Sequence, residues 1–112
     1  MPAVAFCAPI LPGKEETDRK GFEEVLGPHR EEYDASRRRA GITREMVWHQ
    51  ETPDGTVAVV YLEADDIPAS MQALATSDDA FDEWFRELVK EVHEIDMTEG
   101  GSPPELVLEA TF

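Results

Sequence analysis

The sequence predicts an α+β fold with the element order β-α-β-β-α-β: a four-stranded antiparallel sheet carrying helices on one face. Three observations lead to it. The stretch "TREMVWHQETPDGTVAVVYLEADD", Thr43 to Asp66, alternates in character on either side of Pro53-Asp54-Gly55, as a β-hairpin does. Segments with helical spacing precede and follow that hairpin. Two short runs of strand character, "AVAFCAPIL" and "ELVLEATF", stand outside the helical segments.

"AVAFCAPIL" (Ala3 to Leu11) is a short apolar run stopped by Pro12-Gly13, which favours a strand over a helix. Pro9 near its end suits an edge position. From Lys14 to Ala40, Phe22, Val25, Leu26, His29, Tyr33 and Ala40 recur at helical spacing, interrupted by Gly27-Pro28. Proline removes a backbone donor and crowds the preceding turn, so a kink or restart is expected there. "HREEYDASRRR" then places acids early and bases late, which suits the helix dipole, and Gly41 supplies the C-cap. After the hairpin, Asp65, Asp66 and Pro68 open a short helix. A longer helix starts from Ser77 or Asp78, with Phe81, Trp84, Phe85, Leu88, Val89 and Val92 as its apolar stripe. A loop containing "GGSPP" covers 96–104, and "ELVLEATF" reads as a final strand of period two.

The hairpin needs a register. With Pro53-Asp54 at the centre of a type I turn and Gly55 left-handed, a three-residue loop sets Thr52 opposite Thr56, Trp48 opposite Val60 and Met46 opposite Leu62. On that reading Met46, Trp48, Ala58, Val60 and Leu62 form the face under the helices. Glu45, Val47, His49, Glu51, Val57, Val59, Tyr61 and Glu63 form the uncovered face. A slip of one residue exchanges the faces of a strand. An uncovered face with three valines and a tyrosine calls for a cover, and a homodimer formed through the open sheet face is the expectation.

Bulk properties limit the function. The 112 residues suit one domain, 1–112, with a globular hydrophobic content of 41%. A formal charge of −15 repels phosphate backbones and anionic membrane surfaces, so nucleic acid and membrane are not expected as partners. The single Cys7 allows neither an internal disulfide nor a cysteine metal site. No apolar run approaches the ~20 residues of a membrane helix, and "MPAVAFCAPILPGKEE" lacks a basic leader, so a cytoplasmic location is expected.

The element order, together with "RRRAGITREMVWHQETPDGTVAVVYLEADD" and "FDEWFRELVKEVHEID", resembles the dimeric α+β barrel superfamily of ferredoxin-like proteins. Within it the chain is most similar to a family of small uncharacterised bacterial proteins with the core "GITRE.VW.Q.TP.G...VVYLEADD". The likeness runs from about Lys14 to Asp96. It implies a ferredoxin-like sheet closed into a barrel by a second copy. Superfamily members include cofactor-free monooxygenases, haem enzymes, isomerases and mutarotases, so the likeness implies no single chemistry.

Two groups of residues are candidates for chemistry. On the uncovered hairpin face, His49 is the best general base, because its ordinary pKa lies near neutrality. Tyr61 would orient a substrate. Glu45 and Glu63 would stand as cross-strand neighbours, with one pKa raised by the other's charge. The bland alternatives are a histidine bonded at the dimer seam and two wet carboxylates salt-bridged by Arg44 or Arg37 to Arg39. On the long helix, His29, Tyr33 and Arg37 share a face and would hold an anionic or phenolic oxygen of a small organic ligand. Alternatively Tyr33 is a core aromatic and Arg37 a surface base. His29, His49 and His93 lie on three elements with no converging spacing, so neither a metal nor another cofactor is expected. The expected function is a cofactor-independent monooxygenase or isomerase acting on a small aromatic or lactone. The alternative is a non-catalytic module that binds a metabolite or a protein.

Overall fold

A computed structural model describes residues 2–99 and 103–112. The element order is β1 (Ala3–Pro9), α1 (Glu15–Leu26), α2 (Arg30–Ala40), β2 (Ile42–Thr52), β3 (Gly55–Ala64), α3 (Ile67–Thr76), α4 (Ala80–His93) and a 3-10 turn at Met97–Glu99. The sheet is antiparallel and has three strands in the order β1-β3-β2, which corrects the four-stranded, ferredoxin-like expectation. The fourth strand was to come from "ELVLEATF". Residues 103–112 instead pair with no strand and are exposed throughout. The glycine-rich part of the loop expected over 96–104 lies outside the described residues.

Several elements follow from their sequence cues. Gly27-Pro28 breaks the long helical segment into α1 and α2, and the His29 N–H donates back to the Glu24 carbonyl at 2.9 Å. Gly41 ends α2 in the left-handed conformation, φ 79°, with its N–H donating to the Arg37 and Arg38 carbonyls. Asp66 caps α3 by accepting from the Ala69 N–H, and Asp79 caps α4 by accepting from the Phe81 N–H. The α4 cap falls one or two residues after the expected Ser77 or Asp78.

The hairpin register differs from expectation by one residue. Thr52 pairs with Gly55, Gln50 with Val57, His49 with Ala58, Trp48 with Val59, and Met46 with Tyr61. The loop is therefore two residues, Pro53-Asp54. The Thr52 hydroxyl closes it, donating to the Gly55 carbonyl at 2.7 Å and accepting from the Asp54 N–H at 3.2 Å. Gly55 takes φ 124°, which a side chain would resist, and so joins β3 instead of the loop.

This slip moves β2 but leaves β3 as expected. Ala58, Leu62 and Ala64 are buried beneath the helices. Opposite Leu62, Val60 and Ala58 on β2 now stand Glu45, Val47 and His49. Trp48 goes to the other face and is 49% exposed, so the expectation that it lies under the helices is wrong. Trp84, on the stripe of α4, packs with His29 and Phe81. A bulge between Ile42 and Arg44 brings Ile42 back to the helix side, where it is buried.

The core has two parts. One gathers Ala40, Ile42, Leu62, Ala64 and Leu74, with Phe6, Val60 and Met71 against it. The other gathers Ile10, Ala58 and Val92, with Val47 and Leu88. Both lean chiefly on β1 and β3, with Ile42 and Val47 joining from β2. The β2 side of the helix–sheet layer is polar, and that is where the candidate site forms.

Gly41 offers a simple check of the turn that leads into β2. A Cβ there would meet only the Ser70 Oγ, at 3.6 Å, so Gly41→Ala costs backbone strain alone. The expected loss is about 1 kcal/mol. A thermal melt should read it as a Tm lower by about 4 °C.

Candidate functional site

His49 sits on the helix side of β2, with its Nε2 2.7 Å from the Asp18 Oδ2 of α1. The Asp18 side chain is only 4% exposed and that of His49 15%. The ring also lines a groove of about 390 Å3 walled by Phe22, Leu26 and Val47, with Arg19 and Glu23 beside it. Among the described residues, Asp18 is the sole hydrogen-bond partner of the His49 ring. A carboxylate accepts only, so Nε2 is the donor in this pair while the imidazole is neutral, and Nδ1 then holds the free lone pair.

A second cluster lies further along β2. Glu45 Oε1 accepts from the Tyr33 hydroxyl at 2.7 Å and from Arg37 Nε at 2.8 Å. Arg37 also donates through Nη1 to the Ser36 Oγ at 3.0 Å, and Ser36 in turn donates to Asp82. The guanidinium lies over the Phe85 ring at 4.5 Å and the Tyr33 ring at 4.8 Å. Its Nη2 is buried with no hydrogen-bond partner among the described residues, so the two aromatic faces supply its remaining compensation. Burial, then the Glu45 charge and hydrogen bond, hold the Tyr33 hydroxyl well above its ordinary pKa, against the opposing pull of Arg37. For Asp82, burial pushes the carboxyl up. Hydrogen bonds from Ser36, Ser77 and Arg39, with the Arg39 charge, outweigh it and hold the group below its ordinary value.

The residues singled out from the sequence are thus regrouped. Glu45 and Glu63 lie on opposite faces of the sheet, so the expected carboxylate pair does not form. Glu45 joins Tyr33 and Arg37, which the sequence reading placed in a separate group. Tyr61 and Glu63 stay together on the open face, with the Tyr61 hydroxyl donating to Glu63 at 2.6 Å. That bond, then burial and the Glu63 charge, raise the Tyr61 pKa, with Arg44 opposing. His29 lies off both clusters, with its Nδ1 at 2.5 Å from Glu32 and its ring against Trp84. Glu51 is exposed toward the turn. His93 Nδ1 donates to the Pro9 carbonyl at 2.8 Å. Among the described residues no three His, Cys, Asp or Glu side chains gather to hold a metal.

The sequence reading missed Asp18. Its signal was present: Asp18, Gly21 and Val25 are the buried residues of α1 and fall at helical spacing, so an acid occupied a core position. A buried acid needs a partner, and His49 is that partner.

A family model described as a family of unknown function, DUF6176, matches residues 1–111. The chain belongs to this family. No curated protein and no solved structure matches it. The DUF6176 chain is a small α+β protein, and the likeness to dimeric α+β barrels finds no support beyond that class. None of its described helices is long and apolar enough to cross a membrane.

Glu45 and Glu63 separate the structural carboxylate from the surface one. Removing Glu45 strands a buried arginine, so Glu45→Ala should cost about 3–5 kcal/mol in urea unfolding. Glu63→Ala should leave the urea midpoint nearly unchanged. Equal losses would place both carboxylates on the same face.

Proposed function

We propose that the groove between α1 and β2 performs proton-transfer chemistry on a small, largely apolar molecule, with His49 as general base and Asp18 as the residue that positions it. The observation that carries this reading is the His49–Asp18 pair: a largely buried imidazole, held at one nitrogen by a buried carboxylate, beside an open apolar groove. Asp18 would select the tautomer and stabilise the imidazolium once it forms, as a buried acid does behind a catalytic histidine. Phe22, Leu26 and Val47 offer a surface for an aromatic or lactone ring. Arg19 stands where it could face a developing enolate or phenolate oxygen, although its present partner is Glu16 at 2.8 Å.

An isomerase fits this inventory most directly. His49 takes a proton from carbon beside a carbonyl, the negative charge spreads onto oxygen, and the same proton returns at another carbon. No redox partner is needed. A cofactor-independent monooxygenase would use the same base to ionise an electron-rich phenolic substrate that itself supplies the electrons, one atom of molecular oxygen entering as a new carbonyl in place of two C–H hydrogens and the other leaving as water. Tyr33, Arg37 and Glu45 bond one another and serve here as the support that holds α2 on β2.

The second reading is a metabolite-binding module without catalysis. It is favoured by the Arg19–Glu16 pair, which leaves His49 as the main polar group offered to a ligand. Hydrogen–deuterium exchange at the acidic C–H of a panel of small lactones and phenols, followed by NMR in D2O, separates the two. Wild type should catalyse exchange on at least one molecule that binds, and His49→Gln should slow it by about 10²–10⁴-fold while keeping binding. Binding without exchange, or exchange untouched by His49→Gln, would overturn the catalytic reading.

A further inference from the structure

α1 presents two adjoining stripes. Asp18, Gly21 and Val25 are its buried positions. Beside them Arg19, Phe22, Glu23 and Leu26 fall at i, i+3, i+4 and i+7, along the groove that Val47 and His49 line from β2. Two of those four are charged, and they differ in their surroundings. Arg19 is taken by Glu16 at 2.8 Å, three residues earlier, with the acid on the N-terminal side as helical ion pairs prefer. That choice leaves Glu23, four residues after Arg19, with no ion-pair partner among the described residues. Glu23 also stands in the last turn of α1, where no basic side chain offsets the negative end of the helix dipole.

We propose that the groove takes a protonated amine: a small molecule whose apolar body lies on Phe22, Leu26 and Val47 and whose ammonium group is received by Glu23. The assignment rests on the reading of the groove as a proton-transfer site and names the class of molecule admitted to it. The ammonium has a chemical use there as well. Attached near the reacting carbon, it withdraws electrons and makes the C–H proton easier for His49 to take. Arg19, one turn earlier on the same stripe, stays at the other end of the groove for the oxygen.

Three features select a cation over a neutral or anionic ligand. The first is the unpaired carboxylate. An ammonium beside Glu23 gains an ion pair and the end of a helix dipole without displacing an existing partner, whereas a carboxylate would have to draw Arg19 away from Glu16. The second is what lies behind the imidazole. Asp18 is buried at 2.7 Å from His49 Nε2, so with the ring neutral the floor of the groove carries a negative charge of its own. The remaining lining is apolar, and the Phe22 ring next to Glu23 in sequence has a face that attracts cations. The third is the field of the whole chain. A net charge of −15 concentrates small cations at the surface and repels small anions before they reach the groove.

Three probes of similar shape test this: 2-phenylethylamine, 2-phenylethanol and 3-phenylpropionate, each titrated into the full chain and followed by NMR at the Val47 and His49 amides. The ammonium should bind about tenfold more tightly than the carboxylate, with the alcohol between them. Added salt should narrow the gap. Glu23→Gln should bring the amine and the carboxylate within about twofold of each other. Glu24→Gln changes the net charge equally but lies off the groove, and should leave the gap in place. An amine that does not bind, a carboxylate that binds as tightly, or a preference that survives Glu23→Gln or falls equally in both variants would overturn the assignment. The exchange experiment reads His49 and this one reads Glu23. Amine preference without exchange defeats the catalytic reading and leaves the assignment standing, and exchange on neutral lactones without amine preference does the reverse.

Discussion

The two-residue reversal at Pro53-Asp54 is the constraint on which the rest of this structure depends. By pairing Thr52 with Gly55 it sets the phase of β2 against β3, and with it the face to which each β2 side chain goes. His49 and Glu45 then lie beneath the helices, where Asp18 of α1 and Arg37 and Tyr33 of α2 meet them. Shift the pairing by one residue and His49 would face solvent while Asp18 and Arg37 were left buried and alone. Isolated buried charges are among the costliest defects a fold can carry, so the polar contacts and the register enforce each other.

The layer between helices and sheet is therefore divided. Toward β1 and β3 it is an ordinary apolar core of Ala58, Leu62, Ala64, Leu74 and Val92. Toward β2 it is a polar seam with two clusters of different character. Around Arg37 the hydrogen bonds run from Glu45 through the guanidinium to Ser36 and Asp82, and the guanidinium lies against two aromatic rings. That arrangement specifies how α2 sits on β2 more than it adds stability, because desolvation consumes much of what a buried ion pair gains. Around His49 the seam opens. One ring nitrogen is held by Asp18, and the imidazole borders the groove. The same register thus produces a closed cluster that fixes geometry and an open one suited to chemistry.

Local cues in the sequence were read well, and long-range ones poorly. Gly27-Pro28 announced the break between α1 and α2, Gly41 the end of α2, and Asp66 the start of α3, because each acts through its own backbone within a turn. On β3, Ala58, Val60 and Leu62 were assigned to the helix side correctly. On β2 the rule that large apolar residues go inside sent Trp48 and Met46 to the wrong face. The rule failed because the helices present Asp18, Tyr33 and Arg37 to this strand, and those partners reward Glu45 and His49 over tryptophan. The likeness of "ELVLEATF" to a strand was also misleading: alternation describes what a segment can pair with, and the sheet of this chain closes with three strands and without it.

The hairpin register decides which side chains meet the helices, and cross-strand nuclear Overhauser contacts in the hairpin measure it directly. Backbone contacts linking His49 with Ala58 and Trp48 with Val59, together with contacts from the His49 ring to α1, are the predicted result. Contacts linking Trp48 with Val60 and Gln50 with Ala58, with the Trp48 indole against α4, would contradict it and take the His49–Asp18 site with them.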